Sequence, residues 1–528
     1  MAPRASVQPR SEVHATGDDR TGHGQPDRRE AIPAVPAREA RATSGVSVTR
    51  LKETLAELSD LHHAETIADW DARVSMPPEG AEARAHVVAT LTRITHERFI
   101  SDEVGELLDG LDGLEDETDA ALVRLTRREW ERARRVPGEL AAEMARTAGV
   151  AVAAWDKAKA ASDFATFAPH LERQVELKRR YVECFPEIGT AYDVLLDEYE
   201  EGMTTSEVQS VFDRLKEVLV PLIASRADGG ARLEGPFPVD RQQQASRLVL
   251  DSFGWDPAKW RIDETPHPFA SKPGLGDIRL TTHTGPGDLT SLFSTMHEFG
   301  HGVYEFDVDE RLARSPLGRG TSSAIHESQS RMWENLVGRS RGFWRWFYPQ
   351  LQPLFPEALG GVDEDEFVRA VSAIRPGLIR GDADEATYGL HIILRFELEQ
   401  ELLAGTVAVR DLPEAWNARM KHYLGVDVPD DAHGVLQDMH WSVGLFGYFP
   451  TYQLGNVVSV QIWEVARRDL GDLDEQFARG EFGQLREWLR EHVYRHGSVY
   501  PPRELLQRVT GSALDPEPYL HYLQTKFG

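Results

Sequence analysis

The hydrophobic positions of this chain recur mostly at helical spacing. Leu51, Leu55, Leu58 and Leu61 stand three and four residues apart, as one face of a helix requires. Leu171, Val175, Val182 and Phe185 repeat the pattern. The clearest stretch is 204–223. Thr204 and Glu207 form a T-x-x-E capping box, and Val208, Phe212, Leu215, Leu219 and Leu222 follow as an apolar stripe. Alternation with a period of two is scarce. Its best case is Asp277–Thr281, where Asp277, Arg279 and Thr281 share one face and Ile278 and Leu280 the other. Helical patterning resumes at Leu292 and runs nearly to the end, broken by turns such as Gly360–Gly361 and Pro429–Asp431. The pattern predicts a mainly α protein. It has an N-terminal helical lobe to about residue 230, a small β-sheet near 260–290, and a C-terminal helical lobe. There is no internal repeat, and A-D-G-G-A-R-L-E-G-P-F-P near 227–238 is the one plausible seam.

Composition changes this picture at one end. Residues 1–46 are rich in Pro, Gly, Arg and Asp and nearly free of large apolar side chains. Such a segment cannot bury enough surface to offset its ordering entropy, so it reads as a disordered tail ahead of a folded unit at 47–528. It has no apolar h-region and is not a secretory signal. Charge and cysteine usage narrow the partners. A net charge of -27 argues against nucleic acid. No apolar run approaches the roughly eighteen residues of a membrane helix. Cys184 is the one cysteine, so no internal disulfide and no cysteine-based metal site can form. Any metal must take His, Asp or Glu.

That restriction directs attention to His297-Glu298-Phe299-Gly300-His301, an H-E-x-x-H pentamer. On a helix, positions i and i+4 lie on one face, so both imidazoles can reach one Zn²⁺. Glu298 then points to the side of the metal, where it can take a proton from water without ligating. The pentamer alone arises by chance too often to be trusted, and a working site needs a third ligand. Ile325-His326-Glu327-Ser328-Gln329-Ser330-Arg331 supplies candidates on a second helical stretch. Glu327 is preferred because Ser330, Arg331 and Glu334 share its face and could hold it. His326 is the alternative ligand, and a plain surface pair between Glu327 and Arg331 is the bland reading.

Several further motifs follow in order. They are Asp69-Trp70-Asp71 with Met76-Pro77, His267-Pro268-Phe269, Asp277-Ile278-Arg279-Leu280-Thr281, Ile379-Arg380-Gly381-Asp382-Ala383-Asp384, and Gly434-Val435-Leu436-Gln437-Asp438-Met439-His440-Trp441. With the two metal-type motifs they resemble the Taq-type metallocarboxypeptidases, the family of thermostable carboxypeptidase 1. The resemblance implies a two-lobed helical gluzincin-like fold with a deep groove, usually a homodimer. It implies removal of single residues from the free C-termini of peptides. It also implies His297, His301 and Glu327 as metal ligands, Glu298 as general base, and zinc as the metal with cobalt tolerated in its place.

An exopeptidase must recognise the terminal carboxylate. Arg380 is the candidate, since a guanidinium grips a carboxylate in a two-pronged fork; a structural pair with Asp382 or Asp384 is the competing role. His440, with Asp438 as its orienter, and Tyr448 and Tyr452 are candidate donors to the oxyanion. For each tyrosine, packing competes with that role. His267 precedes a proline and so is extended, placed to touch substrate or to cap the sheet. Arg279, with Asp277, either shapes the strand along which a peptide lies or forms an internal ion pair. The expectation is a cytoplasmic metallocarboxypeptidase acting on short peptides. An oligoendopeptidase or dipeptidase with the same centre is the first alternative, and a non-catalytic helical metal-binding scaffold the second.

Overall fold

The computed structural model describes residues 37–226 and 232–528. The tail expected over 1–46 lies outside the described residues as far as residue 36, as does the part of the seam at 227–231. Residues Val46–Gly528 form one unit.

The predicted helix at 204–223 spans Thr205–Arg226. Its capping box is made: the Thr204 amide donates to Glu207 Oε2 at 3.0 Å and the Glu207 amide to Thr204 Oγ1 at 3.3 Å. Val208, Phe212, Leu215 and Leu219 are fully buried, but the stripe ends on Ile223 rather than the expected Leu222. Four residues on from Leu219 keeps a side chain on the same face, and three turns it partly out.

The predicted sheet has three strands: β1 (Trp260–Glu264), β2 (Ala270–Gly274) and β3 (Asp277–Thr282). Their order is β1-β3-β2, with β1 parallel and β2 antiparallel to β3. Ile278 and Leu280 are buried, while Asp277 and Arg279 stay partly exposed, as the alternation predicts; Thr281, expected on the face of Asp277 and Arg279, is instead buried, its hydroxyl bonded to the Phe269 backbone. The helix carrying the pentamer, Thr290–Phe306, packs on the sheet, with Trp260 stacked on Phe299 at 5.6 Å between centroids. Phe299 also meets Phe253 and Trp333, at 5.2 and 5.0 Å. Burial of Phe253 and Phe299 stabilises by about 1.5–3 kcal/mol each. This aromatic knot fixes one face of the motif helix, so its other face is left for the histidines.

The large hydrophobic core runs from Ala151 to Leu523. A smaller one joins Val48–Leu58 and Val104–Leu125 to Val308, Leu312 and Leu317. The motif helix lies within the large core.

Candidate active site

Two helices bring the candidate ligands together. The motif helix presents His297 and His301. The helix Ser323–Arg331, N-capped by Ser322 on the Ile325 amide, presents Glu327 and packs directly against it. Two glycines permit the close approach. A Cβ at Gly300 would lie 2.5 Å from the Gln329 carbonyl oxygen and from Ser330 Cα. A Cβ at Gly455, on the helix Phe449–Leu470, would lie 2.6 Å from Glu327 Cβ and Cγ. Glu327 is thus held between two helices that meet it through glycine. Beyond Arg331 the helix widens into a π-helical segment, Met332–Val337, which carries Glu334.

His297 Nε2 and His301 Nε2 stand 3.2 Å apart, and Glu327 Oε2 lies 3.8 and 3.5 Å from them. Tetrahedral ligands about 2.0–2.1 Å from a shared Zn²⁺ sit about 3.3 Å from one another, so the spacing fits an ion. The outer hydrogen bonds support the same conclusion. His297 Nδ1 meets Glu334 Oε2 at 2.9 Å. His301 Nδ1 meets His326 Nδ1 at 2.6 Å, and His326 Nε2 meets Glu305 Oε1 at 3.0 Å. With protons on both ligand Nδ1 atoms, each Nε2 carries a bare lone pair aimed at the other and at a carboxylate. A cation resolves that arrangement. His326 is therefore a relay behind His301, which answers the ligand choice in favour of Glu327.

The relay continues. Lys272 Nζ, on β2, binds Glu305 Oε2 at 2.9 Å and the Gly318 carbonyl at 2.6 Å. On the other flank Arg331 Nε binds Glu327 Oε1 at 2.7 Å and its Nη1 binds Glu334 Oε2 at 3.1 Å. Burial pushes the Glu327 carboxyl up, but Arg331 and the two imidazoles outweigh it and hold it well below the usual range. Glu305 is held low in the same way, burial being outweighed by Lys272 and His326. Glu298 is the exception. It is 6% exposed, its Oε2 has no hydrogen-bond partner among the described residues, and burial pushes its pKa up to about 7. A buried carboxyl left unpaired beside three ligand atoms is arranged for proton transfer.

These groups line a cavity of about 660 Å³, whose walls include Pro268, Phe269, Tyr448 and Tyr452. Arg380 lies behind Tyr452, 5.2 Å from its ring centroid. Its partner is neither Asp382 nor Asp384. Nε and Nη2 bind Asp438 Oδ1 at 3.0 and 2.7 Å, and Nη1 reaches the Tyr388 hydroxyl at 3.2 Å. Arg395 Nε holds the other Asp438 oxygen at 2.7 Å. The two guanidinium groups and one carboxylate leave this cluster with a net positive charge. His440 Nε2 lies 3.1 Å from the Tyr452 hydroxyl, while its Nδ1 is 3.9 Å from Asp438, too far to be oriented by it. His267 is exposed beside Pro268. Arg279 binds Asp277 at 2.9 and 2.8 Å, and Trp70 is sandwiched between Arg279 and Arg261 at 4.6 Å from each. Of the expected substrate-binding residues, Tyr448 and Tyr452 line the cavity, and Arg380, His440, His267 and Arg279 do not. Lys272, Glu305, Gly455, Tyr388 and Arg395 were not singled out by the sequence. Only the face shared by Arg331 and Glu334 with Glu327 gave a signal of the outer shell.

Known proteins share this arrangement of chain. The family model described as carboxypeptidase Taq (M32) metallopeptidase matches residues 50–527. Thermostable carboxypeptidase 1 of Thermus thermophilus is 40% identical over 505 residues, covering 92% of this chain and 99% of the relative. Carboxypeptidase 1 of Bacillus subtilis is 37% identical, covering 88% and 95%. The crystal structure of the M32 carboxypeptidase from Deinococcus radiodurans superposes with a TM-score of 0.89 at 41% identity, covering 92% of this chain and 99% of that one. The carboxypeptidase of Pyrococcus furiosus gives a TM-score of 0.89 at 34% identity, covering 91% and 99%. The chain belongs to the carboxypeptidase Taq (M32) metallopeptidase family and is a divalent-metal carboxypeptidase, a hydrolase of peptide bonds.

Proposed function

We propose that His297, His301 and Glu327 hold a zinc ion, with cobalt able to replace it, and that Glu298 is the general base for hydrolysis at the free C-termini of short peptides. The carrying observation is the convergence of the three ligand atoms, within 4.8 Å of one another, beside Glu298, whose Oε2 has no hydrogen-bond partner among the described residues. A divalent ion there supplies Lewis-acid chemistry, polarising the scissile carbonyl and acidifying water. Glu298 takes the proton from the attacking water at its free Oε2 and passes it to the leaving amine. Burial pushes the Tyr448 hydroxyl up to about 12, and Tyr452 is raised well above its ordinary value for the same reason. Both therefore keep their protons and can donate to the oxyanion. His440 orients the Tyr452 hydroxyl. His267 is assigned to the outer part of the groove. Arg279, committed to Asp277 and Trp70, is assigned to holding the strand.

Arg380 is the proposed clamp for the terminal carboxylate. Asp438 is shared with Arg395, so the cluster keeps one uncompensated positive charge, and Nη1 can exchange its Tyr388 contact for substrate. Arg380→Ala is expected to raise KM by about 10–100-fold for free-acid peptides, the worth of a charge-assisted contact of about 1.5–3 kcal/mol. An equal effect on amidated peptides would count against the clamp. Outer partners set metal affinity. Lys272→Met and His326→Gln are expected to weaken metal retention about 10–100-fold in chelator competition, by loosening His301. Unchanged retention in both would break the relay assignment.

The test of the whole reading uses one N-blocked pentapeptide as free acid and as C-terminal amide, with a chelated control. Stepwise loss of single residues from the acid only, abolished by the chelator, is the expected result. Internal cleavage of both forms would assign an endopeptidase instead. A homodimer and a cytoplasmic location belong to the same reading. The helix Ala81–Phe99 buries none of its side chains and leaves Val87 and Ile94 exposed, which offers a contact surface. The lone, half-buried Cys184 leaves the fold independent of disulfides. A monomeric mass in sedimentation equilibrium would contradict the first, and cell fractionation decides the second.

A further inference from the structure

A second cavity, of about 540 Å³, opens on the opposite side of the helix that carries Glu327. Its walls are largely apolar, with Val211, Leu454, Leu506 and Leu514 among them, and its volume is that of a small-molecule site. Two kinds of charge are placed in it. Arg214 and Arg503 line it and are roughly half exposed; Arg214 is paired with Glu517 and Glu217, and Arg503 with Glu207, which also lines the cavity. Glu200 lies in the wall at 2% exposure. It accepts hydrogen bonds from the Ala324 amide in the first turn of the ligand helix and from the side chain of Ser322, the residue that caps that helix. Among the described residues, no cation is among the groups that act on its ionisation, and burial pushes it up to about 7. Buried carboxylates are ordinarily paired with a cation.

We propose that this cavity binds a free amino acid with an apolar side chain. The ammonium meets Glu200, the carboxylate meets Arg214 and Arg503, and the side chain fills the apolar interior. Free amino acids are the product of a carboxypeptidase, so the choice of ligand rests on that activity, although binding can be measured without it. The site touches the metal centre through structure alone. Ala324 and Ile325 line the cavity and lie on the same short helix as Glu327. An ammonium that keeps Glu200 ionised strengthens its bond to the Ala324 amide and steadies that helix.

The experiment is equilibrium dialysis of radiolabelled leucine against the metal-loaded full chain, its Ala513→Trp variant and its Glu200→Gln variant. Ala513 is exposed at the cavity mouth, so a tryptophan there can block entry without disturbing the core. The Glu200→Gln substitution keeps an acceptor for the Ala324 amide but removes the charge. The wild type is expected to bind a leucine beyond the one held in the catalytic groove, and both variants to lose it. Leucinamide and N-acetylleucine are expected not to compete for that second leucine. Bound leucine is expected to slow metal release to a chelator about fivefold in the wild type and not in Ala513→Trp. A wild type with no second leucine, or an Ala513→Trp variant that binds as many, overturns the site. Effective competition by N-acetylleucine overturns the ammonium assignment, and by leucinamide the carboxylate assignment. Unchanged metal release overturns the coupling. Peptide hydrolysis by the same preparations reports separately on the carboxypeptidase activity.

Discussion

Glu298→Gln is expected to lower kcat by about 10²–10⁴-fold, the range for loss of a positioned general base, while metal content stays at the wild-type level. The substitution is nearly isosteric, and Glu298 Oε2 has no partner among the described residues, so no structural hydrogen bond is lost there. What disappears is the ability to accept a proton. Burial sets the Glu298 pKa near 7, His297 pulls it down, and Glu327 and Glu334 push it up. A base poised near the working pH combines ready acceptance with ready return of the proton. His297→Ala makes the contrast, because it deletes a ligand atom and is expected to lose metal and turnover together. Metal content by atomic absorption, beside steady-state kcat on one free-acid peptide, separates the two. Near-normal turnover in Glu298→Gln would remove this residue from the chemistry.

The parts of this site legible in the sequence are those set by short-range geometry. The i, i+4 spacing of His297 and His301 needs only a helix, and the Thr204–Glu207 box and the Asp277–Thr281 alternation need only local hydrogen bonds. Glu327 could be preferred because Arg331 and Glu334 follow it on one face, and that face is the one that meets His297. The rest depends on packing between distant segments. Lys272 reaches Glu305 from β2, and Asp438 reaches both Arg380 and Arg395. No periodicity announces such pairs. This is why the structural role that competes with the clamp for Arg380 names Asp382 and Asp384, its neighbours in the chain, whereas the guanidinium is found on Asp438. His326 shows the same limit. Its position beside Glu327 made it a plausible ligand, and only the approach of the motif helix reveals that its ring lies against His301 Nδ1, on the side away from the ligand atoms.

Gly300→Ala is the smallest substitution expected to disable the site. Its Cβ would stand 2.5 Å from two backbone atoms of the facing helix, where carbon contacts settle at about 3.5–4.0 Å. Backbone cannot rotate out of the way as a side chain can. Gly455 closes the far side of Glu327 just as tightly, so the ligand helix has no room to retreat. The two facing helices must therefore part by about 1 Å, and they carry different ligands: the histidines on one, Glu327 on the other. Metal–ligand distances tolerate only about 0.2 Å, so the pair of imidazoles and the carboxylate can no longer share an ion well. Metal affinity is expected to fall by about 10²-fold or more, the scale of a 1 Å misplacement at a reacting centre, and kcat/KM with it at limiting metal. The helix itself should gain from alanine, by about 1 kcal/mol in propensity, so a protein that remains folded by circular dichroism yet loses its metal is the expected outcome. Wild-type metal affinity in Gly300→Ala would show that the two helices can slide apart without cost, and that the close glycine contact does not position Glu327.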